Sequence, residues 1–247
     1  MDRASLLAAA AANLAGWHDL QLRSLGHATE RDDGWWWTPD DVPGLYLRAI
    51  ALAPGTDPGR IAARLHPASW TGLSDPWGTA DPTPYGFLID GDRPWMHRPA
   101  GPLQPGTLPP GVSLERVTDA EGLVALELAA ARGFGVTIPE PGAWHGPAQL
   151  DDPRQALWLA RSGGDAVGTA TAFSDSGVVG IYAISTVPPF RRRGIGGALT
   201  RAAAAFDPSR PAVLQASEMA IPLYRSIGFD PGGTFRTWVR PPVELPA

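Results

Sequence analysis

The chain has 247 residues with a formal net charge of −5, and 44% of its residues are hydrophobic, which argues against disorder and for a sizeable core. It has no cysteine, so disulfides, thiolate nucleophiles and Cys-ligated metals are excluded, and we expect no metal site. The acidic balance argues against nucleic-acid binding, which depends on a basic surface. The longest apolar run is too short to span a membrane, and we expect a cytoplasmic protein.

The first half is predicted to combine two helices with several short strands. The apolar spacing predicts helices at residues 4–24 and 57–65, and strands at 35–38, 45–50, 69–73 and 86–89. A Pro- and Gly-rich stretch without periodicity follows and predicts an extended linker over residues 99–110. We therefore expect one domain at residues 1–98 and a second at residues 111–247.

The second half alternates strands and helices in a clearer order. Strands are predicted at 112–117, 155–161, 166–173, 178–187, 212–216 and 235–239, and helices at 119–131, 194–206 and 218–227. Antiparallel strands come first and a β-α-β-α-β arrangement follows, so we expect an α/β fold with a mixed sheet.

The residues most informative about chemistry follow the strand at 178–187. That strand stops at two prolines, and the next turn, Arg191-Arg-Arg-Gly194-Ile-Gly196, opens a helix. Backbone N–H groups at a helix start lack intrahelical partners and lie at the positive end of the helix dipole, which favours a phosphate. The turn is neither a dinucleotide fingerprint nor a nucleotide-triphosphate P-loop, because the third glycine and any lysine are missing.

This turn resembles the signature of the GNAT superfamily, the acetyl-CoA-dependent N-acetyltransferases. A second match, Leu223-Tyr224-Arg-Ser-Ile-Gly228-Phe229, is similar to the end of the family's last helix. The resemblance covers about residues 112–239 and implies a splayed sheet flanked by helices, with acetyl-CoA as acyl donor. It implies that the pantetheine arm lies along Ser185, Thr186 and Val187. The residues implied around the pyrophosphate are Arg191, Arg192, Arg193, Gly194, Ile195, Gly196, Gly197 and Ala198.

The resemblance also implies catalytic roles near the last helix. Tyr224 matches the tyrosine that protonates the departing thiolate, although a helix tyrosine packed in the core is the alternative. Ser217 stands where several relatives carry Asn, and its hydroxyl is expected to contact the cofactor. The strand at 178–187 offers no carboxylate as general base, so Glu218, Glu140 and His145 remain as candidates. For Glu218, the role of an acid favoured by a helix start is preferred over a catalytic one.

Residues 1–98 lack the Arg-x-x-Gly-x-Gly signature, and their element order resembles a degenerate GNAT-like half of tandem bacterial members on the substrate side. For Trp35, Trp36 and Trp37, core packing is favoured over an aromatic wall that recruits an amine.

The sequence as a whole predicts an enzyme that moves an acetyl group from acetyl-CoA to a primary amine of a small molecule or peptide. The alternatives are a catalytically silent acyl-CoA-binding or partner-binding module, and an acyltransferase that uses a longer acyl-CoA or an aminoacyl-tRNA. The sequence leaves open whether the protein is a monomer or a homodimer.

Overall fold

The computed structural model describes residues 1–66, 70–138 and 140–242 and divides into two compact units. One unit consists of Met1–Trp95 with the chain from Gly232 onward, and the other of Met96–Pro231. The last strand, expected in the second domain, therefore belongs to the first unit, and the predicted linker belongs to the second. Residue 69 of the strand predicted at 69–73 lies outside the described residues. The substrate-side role of residues 1–98 stays a prediction.

Five α-helices and eleven strands occur in the described ranges. The helices are α1 (Arg3–Ser24), α2 (Pro58–Ala62), α3 (Ala120–Phe134), α4 (Ile195–Ala204) and α5 (Ile221–Ser226). The strands are β1 (Glu30–Arg31), β2 (Trp35–Trp37), β3 (Ala49–Ala51), β4 (Thr71–Asp75), β5 (Leu88–Arg98), β6 (Val112–Arg116), β7 (Gln155–Ser162), β8 (Asp165–Asp175), β9 (Val178–Thr186), β10 (Ala212–Gln215) and β11 (Asp230–Arg240). None of the helices in these ranges is both long and apolar enough to cross a membrane.

The first unit is built on a sheet with the strand order β1-β2-β3-β4-β11-β5. Its β11 pairs antiparallel with β4 from Arg236↔Asp75 to Arg240↔Thr71, a long-range pairing that the sequence pattern did not reveal. The three consecutive tryptophans of β2 are at most 3% exposed, and two of them pack in one core cluster with Leu73 and Trp238. They are packing residues of this unit.

The second unit is built on a sheet with the strand order β10-β9-β8-β7-β6. Strand β10 runs parallel to β9, and the other neighbours pair antiparallel, which confirms the predicted mixed sheet. Side chains of one strand alternate between the two faces of a sheet. Trp158 of β7 packs with Leu199 of α4, whereas Leu157 of β7 packs with Leu126 of α3. Helices α3 and α4 therefore cover opposite faces.

The segment predicted as an extended linker is fixed to its own unit. The Gly101 N–H donates to the carbonyl of Pro208 at 2.8 Å, and the Arg98 guanidinium donates to the carbonyls of Gly101 and Pro102. Gly106 lies so close to α4 that an added Cβ would be 2.5 Å from the Cα of Ala198. The segment therefore packs directly on the first turn of α4.

Substituting Gly106 by Ala is expected to destabilise the protein, because the new methyl meets backbone that cannot rotate away. We expect a loss of about 1–3 kcal/mol in the free energy of unfolding, read as a lower melting temperature in a thermal scan. Gly44→Ala is the matched control, since a Cβ there meets nothing within 4 Å. Equal melting temperatures for the two variants would contradict the packing of this segment on α4.

Candidate active site

The site begins where two parallel strands separate. Among the described residues, β10 pairs with β9 over three positions, from Ala212↔Val179 to Leu214↔Ile181. Strand β9 continues five residues further, to Thr186, while β10 ends at Gln215. The strands therefore part after Ile181, and this confirms the splayed sheet expected from the sequence.

A β-bulge distorts β9 just beyond the point of separation. The register with β8 shifts between Thr169 and Thr171, and Ala183 has a φ of 50°. A left-handed conformation costs a non-glycine residue roughly 1–2 kcal/mol, so surrounding contacts must hold it. Bulges of this kind change the direction in which a strand presents its backbone groups.

The first turn of α4 lies at one end of the site. Gly194 precedes the helix with a φ of 87°, and it makes no side-chain cap. The first helical N–H with a backbone partner in the described part of the chain is that of Ala198, which donates to Gly194. The N–H groups of Ile195, Gly196 and Gly197 therefore remain available at the positive end of the dipole.

These elements enclose a cavity of about 720 Å³. Ten of the predicted site residues line it: Ser185, Thr186, Arg191, Arg192, Gly194, Ile195, Gly196, Gly197, Ser217 and Tyr224. Eight further lining residues were not predicted: Gly133, Phe134, Ile184, Phe190, Met219, Ala220, Pro222 and Leu223. Pro222 lies in the first turn of α5. Leu223 stands in the second matched motif, but the motif gave it no role in the site.

The four other predicted site residues lie outside the cavity lining. Val187 is buried, and its N–H donates to the carbonyl of Val167 at 2.9 Å. The guanidinium of Arg193 lies 5.5 Å from the ring centre of Phe190. Ala198 is buried in α4, and Glu218 is exposed at the start of a 3₁₀ turn. Their proposed roles stay predictions.

Tyr224 combines burial with a place in the cavity wall. It is 5% exposed, and its ring centre lies 6.1 Å from that of Phe229, so the packing interpretation also has a structural basis. Burial raises the pKa of Tyr224 to about 12, because a phenolate loses hydration there. The hydroxyl is therefore protonated at neutral pH and is able to donate a proton.

Arg191 ties two elements of the cavity wall together. Its Nε donates to the Thr186 carbonyl at 3.0 Å, and its Nη2 donates to the Gly133 carbonyl at 2.7 Å. The second bond satisfies a carbonyl in the last turn of α3, where a cation is favoured. It brings the adjacent Phe134 to the cavity. These contacts join distant parts of the chain, so local sequence gave no signal for Phe134.

The candidate bases are placed away from the cavity lining. His145 is 6% exposed, and burial lowers its pKa to about 4, while a hydrogen bond that its ring donates to the Gln149 side chain opposes the shift. It is therefore neutral at pH 7. Glu140 is exposed. Within the described ranges, His, Asp and Glu side chains form no group of three that would hold a metal ion.

Comparisons with known proteins agree with this geometry. Residues 124–229 match the sequence profile described as "Acetyltransferase (GNAT) family". A GCN5-related N-acetyltransferase from Kribbella flavida is 21% identical, with 94% of this chain and 96% of that chain covered and a TM-score of 0.63. A GCN5-related N-acetyltransferase from Sphaerobacter thermophilus is 18% identical, with 76% of this chain and 66% of that chain covered and a TM-score of 0.55. A conserved protein of unknown function from Staphylococcus epidermidis is 13% identical, with 88% of this chain and 95% of that chain covered and a TM-score of 0.60.

At these sequence identities, the likeness to the three solved structures shows that this chain shares their fold. The comparison with curated proteins found no match.

Replacing Arg191 by Met is expected to lower the stability of the protein without any ligand. The change leaves the Gly133 and Thr186 carbonyls without their charged donor, which costs about 1–3 kcal/mol and lowers the melting temperature. Arg193→Met is the control, because its guanidinium stacks on Phe190 at the surface. If both variants melt like the parent protein, Arg191 does not hold α3 to β9.

Proposed function

The chain carries a GNAT acetyltransferase domain and is an acyl-transfer enzyme, and from this premise we propose that it moves an acetyl group from acetyl-CoA to a primary amine of a small molecule or peptide. The observation that carries the proposal is the cavity at the separation of β9 and β10. It has unpaired helix amides at one end and a protonated tyrosine in its wall.

The lining residues fit such a donor in size, charge and polarity. The volume lies within the range of about 300–1,000 Å³ that is usual for ligand pockets. Arg192 and the N–H groups at the start of α4 suit a pyrophosphate. At the rim, Phe134, Met219 and Leu223 are 46%, 79% and 37% exposed. Exposed apolar side chains grouped around a cleft are typical of ligand sites.

We assign the parts of the donor from the order of these residues along the cavity. The amides from Arg192 to Gly197 hold the pyrophosphate, with positive charge from the neighbouring arginines. The N–H of Ala198, also predicted for this role, is instead bonded to the Gly194 carbonyl. The pantetheine arm follows Ser185 and Thr186 on the separated part of β9, and the Ser217 hydroxyl offers a further polar contact. Such a path ends beside Tyr224.

The proposed reaction is a direct attack of the amine on the donor. When bound, the thioester supplies an activated acyl carbon and a sulfur leaving group. The neutral amine nitrogen bonds to that carbon, the carbon–sulfur bond breaks, and the Tyr224 hydroxyl gives its proton to sulfur. Tyr224 regains a proton from water. Glu218, exposed between the cavity-lining Ser217 and Met219, is proposed to take the surplus amine proton through solvent.

A glutamate at Gly196 is expected to abolish donor binding, because it adds bulk and negative charge where the pyrophosphate would lie. Gln215→Glu is the control, since it adds the same charge on an exposed position outside the cavity lining. Calorimetric titration with acetyl-CoA measures both. Parent-like affinity in the Gly196→Glu variant would place the donor elsewhere.

Tyr224→Phe removes one hydroxyl and keeps the ring that packs on Phe229. Turnover should fall roughly 10²-fold, the lower range for a positioned proton donor, while the Kd for acetyl-CoA is retained. Tyr85→Phe, at an exposed tyrosine of the other unit, is the control. Unchanged turnover in Tyr224→Phe returns this residue to a packing role.

The assignment of Tyr224 as the proton donor also predicts how kcat depends on pH above 7. Tyr224 holds its proton below a pKa of about 12, so its deprotonation does not lower kcat between pH 7 and 10. Turnover instead rises over this range as the acceptor amine loses its proton. A catalytically silent binding module would show no turnover to follow.

A further inference from the structure

Two buried hydroxyl groups connect β8 to the bulged part of β9. The Thr169 Oγ1 donates to the carbonyl of Ala183 at 2.7 Å and lies 2.9 Å from the Oγ of Ser185. Thr169 is fully buried, and Ser185 is 5% exposed. A hydroxyl has one proton, and that of Thr169 is used on Ala183. Ser185 is therefore the donor in the second bond.

The direction of these bonds determines what Ser185 presents to the cavity. Its proton is committed to Thr169, so only lone pairs of its Oγ remain for a ligand. Ser185 lines the cavity. The side chain is thus set as an acceptor for an N–H group, and the pantetheine arm carries amide N–H groups of this kind.

The bond to Ala183 determines how the bulge is oriented. In a trans peptide, the carbonyl of one residue and the N–H of the next point in opposite directions. Because Thr169 on β8 binds the Ala183 carbonyl, the N–H of Ile184 points away from Thr169. Ile184 lines the cavity, and the unusual φ of Ala183 needs such a constraint to persist.

We propose that Thr169 is a positioning residue for acyl transfer, which holds the bulge at Ala183 so that the Ile184 N–H and the Ser185 Oγ are aimed at the bound donor. Thr169 is not part of the cavity lining and acts through its two neighbours. The proposal rests on the proposed function, since the donor it positions is acetyl-CoA.

Neighbouring positions on β8 provide a matched experiment. Thr169→Val keeps the shape of the side chain and removes the hydroxyl, whereas Thr169→Ser keeps the hydroxyl. Thr171→Val makes the same change two residues away, where the buried Oγ1 has no hydrogen-bond partner among the described residues. Four quantities are measured for each variant: kcat, the Kd for acetyl-CoA, the melting temperature, and amide hydrogen exchange of residues 181–187.

The expected result separates turnover from binding. Thr169→Val lowers kcat on the order of 10-fold, while the Kd for acetyl-CoA changes little. This decrease is smaller than the one expected when a hydrogen-bond donor to a reacting carbonyl is removed completely. Exchange at residues 183–185 becomes faster. Thr169→Ser restores kcat, and Thr171→Val keeps kcat with an equal or higher melting temperature, because no hydrogen bond is lost.

Parent-like kcat and exchange in Thr169→Val would overturn the proposal, as would equal losses in Thr171→Val or a failure of Thr169→Ser to restore turnover. If Thr169→Val does not fold, the Ser185→Ala variant tests the proposal instead. Weaker acetyl-CoA binding with unchanged amide exchange at residue 183 would support the proposed hydrogen bonds of Thr169 and Ser185. Unchanged acetyl-CoA binding would overturn the proposal. If the parent protein acetylates no amine, the proposed function fails. The amide exchange of residues 183–185 in Thr169→Val then still tests whether Thr169 holds the bulge.

Discussion

The separation of β9 from β10 is the constraint on which the site depends. Two parallel strands normally share a continuous ladder of hydrogen bonds, and leaving backbone groups unpaired in a buried sheet is costly. Here the described ladder stops after Leu214↔Ile181. The opening brings the end of a buried strand and the start of α4 to one cavity, and a ligand with its own amide groups is suited to such an edge.

Several contacts within the second unit keep this opening in shape. Arg191 joins the end of β9 to the last turn of α3, and Gly133 allows a close approach, since a Cβ there would lie 2.5 Å from the Ser185 Oγ. On the adjacent strand, Thr169 binds the bulge at Ala183. Gly106 packs against the start of α4 from the segment that precedes β6. The amides of α4 thus project from a fixed scaffold, and fixed donors lose little entropy on binding.

Local patterns in the sequence predicted the parts of the site that are contiguous in the chain. The strand at 178–187, the break at two prolines and the helix from Gly194 correspond to β9, a 3₁₀ turn and α4. Contacts between distant residues were beyond such patterns. Phe134 reaches the cavity because Arg191 binds the adjacent carbonyl, and β11 belongs to the first unit because it pairs with β4. Neither pairing leaves a periodic or compositional signal.

The central claim, that α4 amides bind the pyrophosphate of the donor, is tested most directly by comparing two donors that differ only in a phosphate at that position. S-acetyl-4′-phosphopantetheine and S-acetylpantetheine carry the same thioester and pantetheine arm, and only the first carries a phosphate where the pyrophosphate begins. Calorimetric titration of the intact protein should show the phosphorylated donor binding on the order of 10-fold more tightly, as expected for charge-assisted hydrogen bonds. Equal affinity for the two compounds would contradict the account.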